Sequence, residues 1–263
     1  MVEATSVEGG VLRVLKMPPA GANICYRAED ISMGQTVLRS GLLLSPGEIG
    51  IAAMAGRAFL SVFTRPDVSV LTTGSEVVPP VHRPLPGQVR NANGPLMESF
   101  LLASGYDPAA VLHSADDPVS LRSAAEQALS LSNILITAGG VSMGTRDYIP
   151  SVMEELGFRF HFREVAQKPG KPLSFATRES DSKVIFGLPG NPVSVLVALE
   201  TYVMPALRFS SGHDRYRKKV LSGKLLAPSE RNPADRDSIG AGQGSLMEPG
   251  YWRYRKPAVR GTS

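Results

Sequence analysis

The chain has 263 residues, 43% hydrophobic and 20% charged, an ordinary globular composition with enough apolar residues for one large or two modest domains. No apolar run approaches the roughly 20 residues needed to span a bilayer. MVEATSVEGG lacks the basic and apolar regions of a secretory signal, so the cytosol is the expected compartment, with no membrane partner. The formal net charge of +4 is uneven: residues 213–263 carry 11 Lys and Arg against 5 Asp and Glu, and residues 1–212 carry 17 against 19. That basic tail has no aromatic-basic pattern or module of a nucleic-acid binder and reads as solvated surface. The single Cys25 excludes an intrachain disulfide, no Cys/His cluster has zinc spacing, and Cys25 is expected as a small half-buried strand residue.

In chain order, residues 1–35 are β-rich, with VLRVLKM as a strand-like run, and look like part of something longer. From Thr36 the pattern predicts a short strand, a turn and a helix opened by Ser45-Pro46, with Glu48 in its first turn and Gly56 at its end. Phe59 to Phe63 predict another short strand, closed by Arg65-Pro66. Strands and helices then alternate: a strand over 68–74, a helix over 94–105, a strand at AAVLHS, and a helix over 117–132 behind an Asp117 cap and Pro118. A strand at Ile134-Leu135-Ile136, a helix over 149–157, strands near FRFHFREV and SKVIFGL, and an apolar helix over 192–207 complete the pattern. This order predicts an α/β fold of three layers with a mainly parallel sheet. After Gly212 KKVLSGKLLAP is one plausible strand, and the remainder has too little periodic apolar content for a domain. The expected division is therefore a partial β-rich linker domain over 1–64, the α/β domain over 65–212, and a truncated β domain or disordered tail over 213–263.

Chemistry concentrates in four loops. Thr72-Thr73-Gly74-Ser75-Glu76 sets hydroxyls and backbone N–H groups beside a carboxylate. Gly139 and Gly140 open a loop that continues through Ser142, Gly144, Arg146 and Asp147; the Gly pair allows close backbone approach to a ligand, or a tight turn. Gly187-Leu188-Pro189-Gly190-Asn191-Pro192-Val193-Ser194 leads into a helix whose N-terminus is positive. Gln167-Lys168-Pro169-Gly170-Lys171-Pro172 puts two ammonium groups on a stiff loop, suited to an oxyanion such as phosphate or molybdate, and unlikely to be regular structure. Each loop alone is ordinary turn chemistry, but three of them follow strands and share one rim if those strands are neighbours. Asp147 and Glu76 are the carboxylates that a divalent metal bridging to phosphate would use, and Asp147 also reads as a helix N-cap. His82, His113, His161 and His213 have no mutual ligand spacing and are taken as structural or surface residues.

Together these segments resemble the molybdopterin molybdenumtransferase family, the MoeA-like enzymes and gephyrin E-domain-like proteins. The likeness rests on Thr73-Gly74-Ser75-Glu76, Asn91-Ala92-Asn93, Ala138 to Gly144 with Asp147-Tyr148, Lys168 to Pro172 and Gly187 to Ser194. Gly21-Ala22-Asn23-Ile24 and Glu29-Asp30-Ile31 extend it upstream, so it covers residues 11–212. The family usually has Asp where Ser75 stands, Asp or a similar polar residue at Asn91, Ser at Ala138 and Gly at Ala28. Its N-terminal domain has no counterpart here, and its last β-barrel-like domain is at most partly represented after Lys218.

The resemblance implies a molybdopterin-binding α/β domain in which molybdate enters the dithiolene of adenylylated molybdopterin and AMP leaves, with Mg²⁺ present. It further implies a homodimer, because the family's active site lies in a dimer cleft. Asp147, Glu76 and Asp30 become the catalytic candidates, and Asp147 with Glu76 the metal ligands. Gly139, Gly140 and Ser142 would hold the pterin-phosphate end, with Thr73, Gly74 and Gly144 as further cofactor-binding candidates. Lys168, Lys171, Pro172 and Ser194 would form an oxyanion pocket for molybdate, and Pro189 and Asn191 are further cofactor-binding candidates. A non-catalytic molybdopterin-holding or scaffold module, and the related molybdopterin adenylyltransferase, are the competing functions. The two-lysine loop and the GLPGNPVS segment favour the molybdenum-inserting branch.

Overall fold

A computed structural model of the chain describes residues 2–140 and 148–217, together with 237–238, 243–248 and 251–255. The chain divides into two compact units, Met1–Ser61 and Val62–Ser263. In the first, β1 (Thr5–Glu8) and β2 (Val11–Val14) form an antiparallel hairpin turned by Gly9 and Gly10. Its register pairs Val7 with Leu12 and Thr5 with Val14, which puts Val7, Leu12 and Val14 on one face, with Val11 opposite Glu8 on the other. Helix α1 (Pro46–Met54) begins at a capping box: Gly47 N donates to Ser45 Oγ at 3.3 Å, and Ser45 N donates to Glu48 Oε2 at 2.9 Å. Gly56, with φ +73°, follows its end as the pattern predicts.

Two expected strands do not form. Residues 36–44 and 59–63 run as turns and irregular backbone, because no neighbouring strand takes up their backbone groups. Cys25 is likewise exposed and outside any strand.

The second unit is built on a six-stranded sheet. Its strands are β3 (Val68–Thr73), β6 (Ala110–Ser114), β7 (Ile134–Ala138), β8 (Arg159–Phe162), β10 (Ser174–Arg178) and β11 (Lys183–Leu188), in the spatial order β6-β3-β7-β11-β10-β8. Short strands β4 (Val77–Val78) and β5 (Val89–Arg90) pair with each other, and β9 (Gln167–Lys168) pairs in parallel with β12 (Asp237–Ser238). Strands β13 (Gln243–Glu248) and β14 (Tyr251–Arg255) form an antiparallel pair. Within the main sheet β6, β3, β7 and β11 are mutually parallel, and β10 is antiparallel to both β11 and β8. Five strands thus point one way and β10 alone among the six points back. The sheet is mainly parallel, as the alternating pattern predicts, but β10 was not anticipated: SFATR has too few apolar residues to read as a strand.

Helices cover both faces. Side chains alternate across a strand, so Val68, Val70, Ile134 and Ile136 pack on one side and Leu71, Leu135 and Ile185 on the other. The first face is covered by α2 (Asn93–Ala103) and by the helical stretch α5 (Pro192–Ala198), a π-helical turn (Leu199–Val203) and α6 (Met204–Ser210). Helices α3 (Pro118–Leu131) and α4 (Ile149–Glu155) cover the second. Each fully buried Leu or Ile contributes about 1.5–3 kcal/mol. The stretch Pro192–Ser210 has a mean hydropathy of 1.3, long and apolar enough by those measures to cross a bilayer, yet Val195, Leu199, Val203 and Leu207 are buried in this core. The N-cap position of α4 falls on Tyr148, whose side chain makes no capping bond; Asp147, expected there, lies outside the described residues.

Asp117 caps α3 as expected, its Oδ1 accepting from Ser120 N at 2.8 Å and Val119 N at 3.1 Å. The Ser120 N–H bond above all holds this carboxyl below the usual carboxylate range. A carboxyl whose pKa is depressed by folding stabilises above its unfolded value and loses that contribution as pH falls through the folded one. Below about pH 4 the wild-type Tm should therefore fall more steeply than that of Asp117→Asn, which keeps a capping oxygen but cannot titrate. Parallel melting curves against pH would refute this.

Candidate functional site

The parallel strands β3, β7 and β11 end side by side. Leu188 lies opposite Ala138, and Ala138 opposite Thr72, so the loops that follow share one rim. Because β10 runs backwards, its first residue, Ser174, pairs with Gly187 and the two-lysine loop arrives at the same rim. The four loops singled out by sequence therefore meet there as far as they are described. A cleft of about 530 Å³ opens between them, in the place where open α/β sheets bind ligands.

Six of the expected residues line this cleft: Thr73, Glu76, Gly139, Gly140, Pro172 and Pro189. Gly139 has φ +92°, and a Cβ there would lie 2.7 Å from the Thr73 carbonyl oxygen; Gly190 approaches from the far side, its own Cβ position 3.9 Å from the Gly139 Cα. The Gly pair is thus a close-approach site between β3 and the β11 loop. Gly74, at φ +146°, lets the next loop turn immediately, since a Cβ would meet Val77 at 2.5 Å.

The other expected residues are placed differently. Asn191 Oδ1 accepts from Val193 N at 2.9 Å and Ser194 N at 3.3 Å, so this oxygen caps α5. Ser194 is buried and does not line the cleft. Lys168 is exposed on β9, and Lys171 Nζ pairs with Glu164 Oε2 at 2.8 Å; neither lines the cleft. Gln167 and Lys168 form a two-residue strand, where irregular backbone was expected. Asp30 is exposed and belongs to the first unit. Ser142, Gly144 and Asp147 lie outside the described residues.

Sequence reasoning missed Asp116 and Arg90, which also line the cleft. Asp116 N donates to Ser75 Oγ at 3.0 Å, and Ser75 N donates to Asp116 Oδ2 at 3.4 Å, so two loops 41 residues apart are stitched together. Arg90 Nε donates to the carbonyls of Pro80 and His82 at 3.1 and 3.2 Å and ties down the connection between β4 and β5. The asparagines of the Asn91-Ala92-Asn93 segment act as struts: Asn91 Nδ2 donates to Thr72 Oγ1 at 2.9 Å, and Asn93 Nδ2 to the Gly190 carbonyl at 2.8 Å. His113, taken as structural, meets the same Thr72 hydroxyl through Nδ1 at 3.0 Å. Thr73 Oγ1 and Asn93 Oδ1 are buried with no hydrogen-bond partner among the described residues. Such atoms carry a desolvation cost that a bound polar ligand relieves.

An open α/β domain with its cleft at the strand ends, glycines at the closest approach and unpartnered polar atoms in the cleft lining defines a candidate binding domain for a polar ligand. A family model described as a probable molybdopterin binding domain matches residues 69–208, more than half of the chain, and the chain belongs to that family. It is 36% identical over 208 residues to the molybdopterin molybdenumtransferase of Synechococcus elongatus, covering 78% of this chain and 52% of that protein. It is 34% identical over 222 residues to the molybdenum cofactor synthesis protein cinnamon of Drosophila melanogaster, covering 81% of this chain and 35% of the relative. Among solved structures, the molybdopterin biosynthesis MoeA protein from Pyrococcus horikosii superposes with a TM-score of 0.63 at 28% identity, over 81% of this chain and 52% of that one. The chain thus spans about half or less of the length of these relatives.

Proposed function

We propose that this chain serves molybdenum cofactor biosynthesis as a molybdopterin molybdenumtransferase, taking molybdate and adenylylated molybdopterin and releasing AMP. The observation that carries the proposal is the cleft itself, where Gly139, Gly140, Thr73 and Pro189 from three strand-end loops meet Pro172 of the two-lysine loop. The pterin-phosphate end lies against Gly139 and Gly140, where Thr73 Oγ1 and Asn93 Oδ1 accept hydrogen bonds from the ligand. Lys168 and Lys171, on the loop whose Pro172 lines the cleft, are assigned the oxyanion as point charges, which requires Lys171 to exchange its Glu164 partner for the ligand; Ser194 is assigned to the same side. Fixed donors around developing negative charge are the main catalytic contribution of such a site. Ser142, Gly144 and Asp147 take part from the Gly139 loop.

Mg²⁺ fits the donors present, since it takes one or two carboxylates together with substrate phosphates, and Glu76 and Asp116 are the two carboxylates lining the cleft. Among the described residues no group of three or more His, Cys, Asp or Glu gathers, so an all-protein metal cage is not part of this reading. When bound, the ion would neutralise phosphate charge; Glu76 and Asp116 would hold it, and Asp147 is the further candidate for handling metal and water. The working protein is read as a homodimer in the cytosol, and Asp30 is kept as a catalytic candidate.

The test is to incubate purified protein with adenylylated molybdopterin, molybdate and Mg²⁺ and to follow AMP. Release of AMP that depends on molybdate is expected. Tight molybdopterin binding without AMP would instead identify a non-catalytic holding module. Lys171→Ala should raise the half-saturating molybdate concentration about tenfold, the size of one lost charge-assisted hydrogen bond, with molybdopterin affinity retained. Equal losses for both ligands would remove Lys171 from the oxyanion side.

A further inference from the structure

The two-lysine loop is held from behind by a residue that no motif marks. Gln167 is 5% exposed, and its side chain bridges two directions: Nε2 donates to the Pro169 carbonyl at 2.8 Å, and Oε1 accepts from the Tyr202 hydroxyl at 2.7 Å. Pro169 offers only a carbonyl, so the amide nitrogen must face it and the amide oxygen must face Tyr202. The tyrosine O–H is therefore the donor. Gly170, at φ +99°, leaves room for the amide, since a Cβ there would come within 3.2 Å of Gln167 Nε2. Lys171 is pinned by its own carbonyl, which accepts from Val165 N and Leu173 N at 2.9 Å each. The backbone carrying Lys168 and Lys171 is thus folded around one buried amide, and that amide is oriented by Tyr202.

Tyr202 reaches this position because it sits in the π-helical turn Leu199–Val203. In an unbroken α-helix Val203 and Leu207 would stand well off the stripe defined by Val195, each residue adding about 100° of rotation. The extra residue of the π turn absorbs one such step and returns Val203 and Leu207 to the core, where both are fully buried. Tyr202 is left at the edge of that stripe, half-buried, with its hydroxyl directed at Gln167.

We infer that Tyr202 is a positioning residue for oxyanion binding, acting through Gln167 on the two-lysine loop. The inference rests on the reading that this loop receives molybdate. Removing the hydroxyl leaves Gln167 Oε1 buried without its donor, and the amide is then free to turn away from Pro169.

The experiment titrates molybdate, and separately molybdopterin, into the purified full chain and into Tyr202→Phe, Gln167→Met, the double variant and Lys171→Ala, with thermal melts as the check on folding. Tyr202→Phe should weaken molybdate binding about tenfold, equivalent to about 1.4 kcal/mol, and change molybdopterin binding less than about twofold. Gln167→Met should do the same, and the double variant should be no worse than the weaker single one, since both break one relay. If Tyr202→Phe fails to fold, Gln167→Met reads the same relay. Wild-type molybdate affinity in Tyr202→Phe or Gln167→Met, alongside a loss in Lys171→Ala, overturns the inference and leaves the site reading standing. Equal loss of both ligands also overturns it, as the mark of a general structural defect. Unchanged molybdate binding in Lys171→Ala removes the loop's oxyanion role, and the inference with it.

Discussion

Replacing Gly139 by alanine is expected to cost about 2–4 kcal/mol of stability and to abolish molybdopterin binding. The backbone there has φ +92°, a conformation costing about 1–3 kcal/mol for a residue with a side chain. The new methyl would also sit 2.7 Å from the Thr73 carbonyl oxygen and 3.1 Å from Thr73 Oγ1. That carbonyl belongs to the end of β3, a strand buried along its whole length, and cannot yield without disturbing the sheet. Gly190→Ala supplies the contrast: its Cβ would meet nothing closer than the Gly139 Cα at 3.9 Å, so its stability should stay near wild type. Chemical denaturation gives the first quantity and equilibrium binding of molybdopterin the second. A Gly139→Ala protein as stable as Gly190→Ala would show that the close approach at the rim has been misjudged.

Asp116→Asn is expected to lower AMP release about hundredfold and to raise the Mg²⁺ concentration needed for half-maximal rate. The argument is one of register. Thr73 and Ser114 lie opposite each other on the parallel strands β3 and β6, so two residues further on Ser75 and Asp116 arrive together. The Ser75 hydroxyl and backbone N–H hold the Asp116 loop in place from across the sheet. Asparagine preserves an acceptor for the Ser75 N–H, so the substitution removes charge and leaves the stitching intact. Turnover and Mg²⁺ dependence equal to wild type would exclude Asp116 from the reaction.

Legibility in the sequence followed physical circumstance. Strands β3, β7 and β11 show as apolar runs because parallel strands covered by helices are buried on both faces. The starts of α1 and α3 show because a capping side chain followed by proline leaves a local signature, at Ser45-Pro46 and Asp117-Pro118. The glycine pair and the proline-rich lysine loop show because backbone constraint restricts the residue types. What failed depended on pairing. The runs at 36–44 and 59–63 carry strand-like residues, but a strand exists only when another offers its edge. Ser174–Arg178 does the reverse, an unremarkable segment recruited into the sheet between β11 and β8. Asp116 escaped notice for the same reason, since its nearness to Ser75 is created by β6 lying beside β3.

The reversal of β10 gives the rim two kinds of wall. On the β3 side the chain runs through the short pair β4 and β5 before it reaches α2, and the residues between those two strands are largely exposed, so slack can be absorbed there. On the β10 side, the two-lysine loop is caught between β8 and β10, with Pro172 feeding directly into a strand already paired on both edges. A residue inserted between Gln167 and Pro172 has no helix to shift and must either slip the β10 register or unseat the buried Gln167 amide. Changes in loop length should therefore accumulate around the connection between β4 and β5, while the lysine segment stays at constant length.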